Sequence, residues 1–356
     1  MSAYDDALVL LRPTGAEFSA FGGRVNFANH APMVADALCA LGRDDAVLPW
    51  LETYLPHLDP PPPAVAAIDN ANASSALGDL ARVTDWTESF DREIGENGWR
   101  STIDAWMPRL APGAYGAFHA FLRTAHAVRP LLGSETPDRC HELAAALGYW
   151  AATYGSLGLS TGSSASLTPA IALSEVAQLD AEVRATWLLV TTPMDQLRDF
   201  VPFASVVDLI DTSDPDKTIS DLTELAARLV VANIDQVGPR GFCHVLTMAA
   251  AARLLLPALS PESAEIAVRY TWQFVAACYA ALTPVDPTTG VASPPESIDR
   301  LVDEALACPD EHGIKVLEAC VREHALNPDP VYLVAAQETT RQLRTRGVDL
   351  SLDRSR

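Results

Sequence analysis

Helical periodicity is the feature that most constrains the fold of this chain. Segments rich in alanine and leucine repeatedly place apolar residues three or four positions apart, whereas alternating runs of β-branched residues are scarce. Residues 117–130, AFHAFLRTAHAVRP, are typical, because they end at a proline and consist of good helix formers. We therefore predict an all-α protein, a bundle of many helices around an interior pocket.

The length and hydrophobicity of the chain favour one large domain over residues 1–356. With 49% hydrophobic residues, the chain can bury a large core. The run DPPPP at residues 59–63 excludes helix and could separate two domains. The residues before it are too few for a convincing core of their own, so we predict that this run only turns the chain.

The charge of the chain argues against two classes of partner. It has 25 Lys and Arg residues against 46 Asp and Glu residues, a net charge of -21, which disfavours nucleic acids and anionic membranes. No cationic region precedes the short apolar run at the N-terminus, and no uninterrupted apolar stretch reaches about 18 residues. We expect a cytoplasmic protein without signal peptide or membrane span, in which six scattered cysteines are reduced.

Two histidines lie on one face of the helix predicted for residues 117–130. His119 and His126 are seven residues apart, which separates them by about 20° around a helix axis. Phe118, Leu122 and Val128 make this face apolar, so both imidazoles are expected to point into the protein. From this segment alone, a core histidine that needs only one or two hydrogen-bond partners is the favoured interpretation at each position.

Three further histidines occur at or near the starts of predicted helices. His30 precedes Pro32 at a helix entrance, and His244 lies in a first turn. His312 and Lys315 are neighbours one turn apart, although the lysine could instead extend to water. Imidazoles from several helices can converge on iron, zinc or copper, but their spacing alone does not show which faces meet.

Three sequence blocks carry a resemblance to a known family. They are NHAPM with DALCALGR at residues 29–43, the stretch from Phe118-His119 through Arg129, and EHGIKVLEACVRE at residues 311–323. In order and spacing, these blocks make residues 25–345 resemble the questin oxidase-like family. Ala31 and Ala120 depart from the pattern, since glycine is usual there, which puts the shape of the pocket and hence the substrate in doubt.

The resemblance implies an all-helical fold, a nonheme iron(II) site built largely from histidine, and an oxygenase activity. The implied reaction is a Baeyer-Villiger-like oxidation with dioxygen that cleaves a carbon-carbon bond in the ring of an anthraquinone or a related small aromatic polyketide. NADPH is a candidate external reductant, although the sequence carries no binding fingerprint for it.

Carried onto this sequence, the resemblance assigns six metal-site residues: His30, His119, His126, His244, His312 and Lys315. We expect one of the five histidines not to be a ligand. His119, His126 and Lys315 are also the predicted catalytic residues. Iron among neutral imidazoles calls for an anionic ligand, yet no Asp or Glu is an obvious partner within these motifs. Lys315 is hypothesised to ligate as a carbamate after reaction with carbon dioxide, or to remain a cation beside the ligands.

Two other functions remain open at this point. A metal-free enzyme could use His126 or His244 as a general base to enolise its substrate, leaving oxygen or a nicotinamide to complete the oxidation. Alternatively, a helical binding protein could sequester an apolar metabolite without converting it.

Overall fold

α-Helices make up most of the structure, which confirms the predicted all-α class. The computed structural model describes residues 2–20, 25–69, 71–116, 118–162, 166–184, 194–283, 285–291 and 297–346. Within these residues, the only sheet has two strands.

Many helices begin where the sequence supplies both a capping side chain and a proline. Thr136 accepts a hydrogen bond from the backbone of Arg139, and Pro137 is the first residue of that helix. Ser260 precedes Pro261 in the same way. The cap satisfies a backbone N–H that has no partner within the helix, and proline needs none.

The chain divides into two compact units. Of the described residues, unit 1 contains 2–106 and 118–154, and unit 2 contains 107–116 and 155–346. Helix α6, Trp99–Leu110, is divided between them. The single domain predicted from the sequence stays a prediction, because a division into compact units does not tell whether either folds alone.

Unit 1 is built from short and medium helices, among which Val83–Asn97 (α5) and Phe118–Gly133 (α7) both pack on Pro137–Ala152 (α8). Its helices are α1 Ala3–Leu11, α2 Ala31–Ala40, α3 Asp44–Tyr54, α4 Ala73–Ala76, α5 Val83–Asn97, α7 Phe118–Gly133 and α8 Pro137–Ala152. The guanidinium of Arg123 on α7 donates to both carboxylate oxygens of Glu142 on α8, at 2.6 and 2.8 Å, which satisfies two buried charges.

A small hairpin in unit 1 departs from the sequence prediction. The sequence of residues 1–28 predicts a short helix followed by an irregular loop around Gly22 and Gly23, but Glu17–Ala20 (β1) and Val25–Ala28 (β2) pair as antiparallel strands. Phe18 is buried against Tyr54, with ring centroids 6.0 Å apart, so one face of the hairpin joins the core. The Gly22-Gly23 pair lies outside the described residues.

Unit 2 contains the longest helices. Its helices are α9 Pro169–Ser174, α10 Ala181–Arg184, α11 Pro215–Val237, α12 Pro239–Phe242, α13 His244–Leu255, α14 Pro261–Leu282, α15 Ile298–Leu306, α16 His312–Leu326 and α17 Pro330–Arg346. Helix α13 packs against α11, α14 and α16, and α16 packs against α17. The starts of α13 and α16 position the side chains considered below.

Among the described residues, Pro239–Ala258 is long and apolar enough to cross a membrane by length and composition. An apolar stretch of 18 residues within it is 78% buried in the structure, as in the core helix of a globular protein. The segment is therefore weak evidence for a membrane span. The six cysteines are free thiols, and Cys243, Cys278, Cys308 and Cys320 are buried.

Candidate metal centre

Two histidines of unit 2 lie side by side because each begins a helix. His244 is the first residue of α13, and His312 is the first residue of α16. Their ring centroids are 5.0 Å apart and their planes are nearly perpendicular, at 82°. Both are buried, each with 3% of its surface exposed. The pairing of α13 with α16 thus brings together two imidazoles that are 68 positions apart in the sequence.

The Nδ1 atom of each ring faces an acceptor. Nδ1 of His244 is 3.1 Å from the carbonyl oxygen of Gly241, and Nδ1 of His312 is 2.7 Å from Oδ1 of Asp310. In the neutral form of each ring we assign the proton to Nδ1, since a carbonyl and a carboxylate only accept. The lone pair is then on Nε2, as in histidines that bind a metal while Nδ1–H donates to a carboxylate or carbonyl.

Asp310, Glu311 and His312 form a buried acidic group next to this pair. Their potential ligand atoms lie within 4.8 Å of one another, so the group could hold a metal ion. Oδ1 of Asp310 also accepts from the backbone N–H of His312, at 3.1 Å, and Oδ2 accepts from Nε of Arg240, at 2.8 Å.

The charges around Asp310 keep its carboxyl ionised. Burial raises the pKa of Asp310, but the attraction and hydrogen bond of His312 together with Arg240 outweigh it and hold the pKa at about 2. A metal on the Nδ1 side of His312 would have to displace this hydrogen bond, whereas a metal on Nε2 would leave it in place. The donor set therefore fits a borderline transition metal at the Nε2 atoms, with Asp310 orienting one ligand.

Lys315 is buried one turn after His312, with 2% of its surface exposed. Its side chain therefore does not extend to water. Burial lowers the pKa of Lys315, although Cys243, Glu311 and Asp310 oppose this effect. This environment suits either of the two roles predicted for Lys315, and the choice between them stays a prediction.

The predicted histidines of unit 1 also include a close pair. His30 occupies the position before α2, and His119 lies in the first turn of α7. Their ring centroids are 5.0 Å apart, with 34° between the planes. The ring of His119 also packs against that of Phe118, at 4.1 Å. His30 is buried and His119 is half-buried. Because His30 directly precedes the first residue of α2, the structure confirms that it lies at a helix entrance.

The neighbours of His126 are an aspartate and an arginine rather than a second histidine. Its Nδ1 is 2.7 Å from Oδ2 of Asp36, and Asp36 also accepts from Nε of Arg129, at 3.0 Å. Among the described residues, no group with the spacing of metal ligands includes His126. The expectation of one non-ligand among the five histidines has its best candidate here, although the assignment of His126 as a ligand stays untested.

The carboxylates of Asp36 and Asp310 and the guanidinium of Arg240 were missed in the sequence. Asp310 could have been predicted, because an aspartate two residues before the start of a helix often accepts a hydrogen bond from the first backbone N–H groups, as Asp310 does from His312. Asp36 occurs within the DALCALGR block but lies 90 residues from His126, and Arg240 lies 70 residues from Asp310. No local pattern in the sequence connects these residues.

A cavity of about 340 Å³ occurs in unit 1, between β1 and the proline-rich run. Its walls include Phe18, Asn26, Asp59 and Pro62, and none of the predicted site residues lines it. The interior pocket expected beside the histidines therefore stays a prediction.

Comparison with protein families finds no match for this chain, and comparison with curated proteins finds none either. The resemblance to the questin oxidase-like family rests on the three sequence blocks alone.

Proposed function

We propose that this protein is a nonheme iron(II) oxygenase that cleaves a carbon-carbon bond in a small aromatic polyketide such as an anthraquinone. One observation carries the metal-binding part of the proposal. His244 and His312 are adjacent and buried, and each has Nδ1 directed at an acceptor. The choice of iron and of the aromatic substrate comes from the family resemblance.

In this proposal, the chain binds the metal, orients the two imidazole ligands and shields their Nε2 atoms from water. Gly241 and Asp310 hold the protons on the Nδ1 atoms of His244 and His312, so that both Nε2 lone pairs can bind the metal. Burial of both rings keeps competing water away from these atoms. When bound, iron(II) supplies dioxygen activation beside a ring carbonyl. NADPH is the proposed external reductant.

The proposal keeps His30 and His119 of unit 1 as ligands, as predicted from the sequence. Two neutral imidazoles are fewer ligands than protein iron sites use, so His244 and His312 need further donors. Lys315, as a carbamate, is the proposed anionic donor. Mass spectrometry of the intact protein, before and after acid treatment, tests for the added carbon dioxide.

Metal analysis of protein purified without an affinity tag or chelator is the first test. We expect roughly one iron per chain, either as purified or after anaerobic addition of iron(II). His244→Ala is expected to lose it. His324→Ala is the matched control, because His324 lies on the same helix as His312 and its Nδ1 contacts the carbonyl of Asp329 instead. Failure of the wild-type chain to bind iron would contradict the proposal.

The activity is then tested with an anthraquinone under oxygen, with NADPH supplying the two electrons that reduce the second oxygen atom to water. We expect oxygen uptake and a ring-opened product that depend on iron, and loss of both in His119→Ala and His244→Ala. Full turnover by either variant, with its metal retained, would contradict the proposed ligand set.

The dyad of Asp36 and His126 favours a second function, a metal-free oxidoreductase. A carboxylate 2.7 Å from Nδ1 fixes a tautomer whose Nε2 can accept a proton from a substrate. Turnover that withstands chelation but not His126→Ala would support this function in place of the oxygenase.

A further inference from the structure

Arg240 donates hydrogen bonds to the carboxylate of Asp310, which also contacts His312. Its Nε and Nη2 atoms lie 2.8 and 2.6 Å from Oδ2 of Asp310. The other oxygen, Oδ1, is 2.7 Å from Nδ1 of His312 and accepts from its backbone N–H. Asp310 is thus held from two sides, by the guanidinium on one oxygen and by the histidine on the other.

Because Asp310 is buried, the orientation of its carboxylate depends on the guanidinium of Arg240. The Asp310 side chain is 1% exposed, so in the intact chain the Oδ2 atom depends on Arg240 rather than on bulk water for its hydrogen bonds. The Arg240 side chain is 25% exposed, and its donors lie in a fixed plane that matches a carboxylate. Replacement of Arg240 therefore frees Asp310 to rotate about its side-chain torsions, and the contact with Nδ1 loosens.

We infer that Arg240 is a positioning residue that acts through Asp310 to hold His312 with Nε2 available to a metal. The inference rests on the proposed function for the identity of the ligand. Asp310 is the direct support of His312, and Arg240 is the support of Asp310. This arrangement predicts an order of effects on metal affinity, with Asp310→Ala larger than Arg240→Gln.

Metal titration tests the order of effects. Cobalt(II) is the probe, because imidazole ligands bind it well and its visible spectrum reports coordination. We expect Asp310→Ala to raise the dissociation constant about 10- to 100-fold, as for other partners of metal-binding histidines. Arg240→Gln is expected to raise it several-fold, and Arg240→Lys, which keeps the charge, is expected to restore part of the loss.

A double-mutant cycle tests whether Arg240 acts through Asp310. In the Asp310→Ala background, Arg240→Gln is expected to cause no further loss of cobalt affinity. An equal loss in both backgrounds would overturn the inference, because Arg240 would then act by another route.

Arg253→Gln is the control for a general loss of structure. Nε of Arg253 is 2.9 Å from Oε2 of Glu323, and this pair joins the same helices, α13 and α16, several turns from His244 and His312. We expect it to destabilise the fold without changing the cobalt spectrum. A cobalt affinity lowered as much as in Arg240→Gln would reduce Arg240 to a structural role.

Nitrogen NMR of the metal-free protein separates this inference from the proposed function. With ¹⁵N-labelled histidine, we expect His312 to be protonated on Nδ1 in the wild type and to become a mixture of tautomers in Arg240→Gln and Asp310→Ala. If wild-type protein binds no cobalt, the proposed function fails, and this spectrum still decides the positioning role. An unchanged tautomer in both variants would overturn the role.

Discussion

The same arrangement of arginine, aspartate and histidine occurs in both units, with different neighbours. In unit 1, Asp36 contacts His126 and Arg129, and in unit 2, Asp310 contacts His312 and Arg240. The distance from Nδ1 to the carboxylate is 2.7 Å in both. The two carboxylates are used differently, because Oδ2 of Asp36 contacts both of its partners, whereas Asp310 contacts His312 through Oδ1 and Arg240 through Oδ2. The distance from Nδ1 to the carboxylate alone therefore does not distinguish a structural histidine from a metal ligand.

The surroundings of the triads make the distinction. His312 has a second imidazole, that of His244, at 5.0 Å and a buried lysine one turn further along its helix. Arg129 and His126 lie on one helix, α7, and grip Asp36 of α2, so this triad fastens two helices together. Under the proposed function, the further donors beside His312 favour it over His126 as a metal ligand.

The largest expected difference between the triads is in metal binding. Structural zinc sites with four ligands contribute about 10–16 kcal/mol, so by the same scale one lost ligand costs about 2.5–4 kcal/mol, or roughly 70- to 900-fold in affinity. We expect this loss for His312→Ala and none for His126→Ala. Titration with cobalt(II) measures both. Equal losses would make His126 a ligand and remove the distinction between the triads.

The structural role of the unit 1 triad predicts a large effect on stability. Asp36→Ala leaves His126 and Arg129 without their carboxylate in a buried setting, and we expect a loss of about 3 kcal/mol in the free energy of unfolding. Urea denaturation measures it, and metal content should not change.

Arg12→Ala is the control for this measurement. Arg12 pairs with Asp138 at the surface, where its side chain is 54% exposed, so little change is expected. A small effect of Asp36→Ala, comparable to that of the control, would show that the triad does not fasten α2 to α7.

The sequence was informative where structure depends on neighbours in the chain. Helical period located the helix predicted for residues 117–130, although it continues past Pro130 to Gly133, and His30 was correctly expected at a helix entrance. The strands Glu17–Ala20 and Val25–Ala28 were not predicted because each has four residues, too few for alternation to stand out from a loop.

The partners of the histidines could not be predicted for a different reason. Periodicity tells which residues share a face of one helix, but it does not tell which faces of different helices meet. Asp36 and Arg240 lie 90 and 70 residues from the groups they contact. Asp310, two residues from His312, was the one partner within reach of local reasoning.

Metal addition is expected to stabilise the chain through the unit 2 triad. A ligand that binds only the folded state at a hundred times its dissociation constant adds about 2.7 kcal/mol. Urea unfolding with and without cobalt(II) should show this gain in the wild type and in His126→Ala, and none in His312→Ala. A gain that persists in His312→Ala would place the metal elsewhere.

The smallest predicted difference between the units is the change in the free energy of unfolding when a helical glycine is replaced by alanine. A Cβ at Gly148 of α8 would lie 2.6 Å from Oγ1 and 2.7 Å from the backbone nitrogen of Thr87 on α5, too close for either helix to accept. We expect Gly148→Ala to cost about 2 kcal/mol through overpacking. A Cβ at Gly313 of α16 would lie 3.5 Å from Cys308, an ordinary contact, so Gly313→Ala should stabilise by about 0.5 kcal/mol.

The origin of the Gly148 effect can be separated into side-chain and backbone parts. If the clash were with Oγ1 alone, adding Thr87→Ala to Gly148→Ala would restore stability. Because the backbone nitrogen is nearly as close and cannot be removed, we expect the double variant to keep most of the loss, after correction for Thr87→Ala alone. Urea denaturation of the four proteins measures this, and full rescue would mean that α5 and α8 have room to move apart. Persistence of the loss would show that close approach of the two backbones requires glycine at this position.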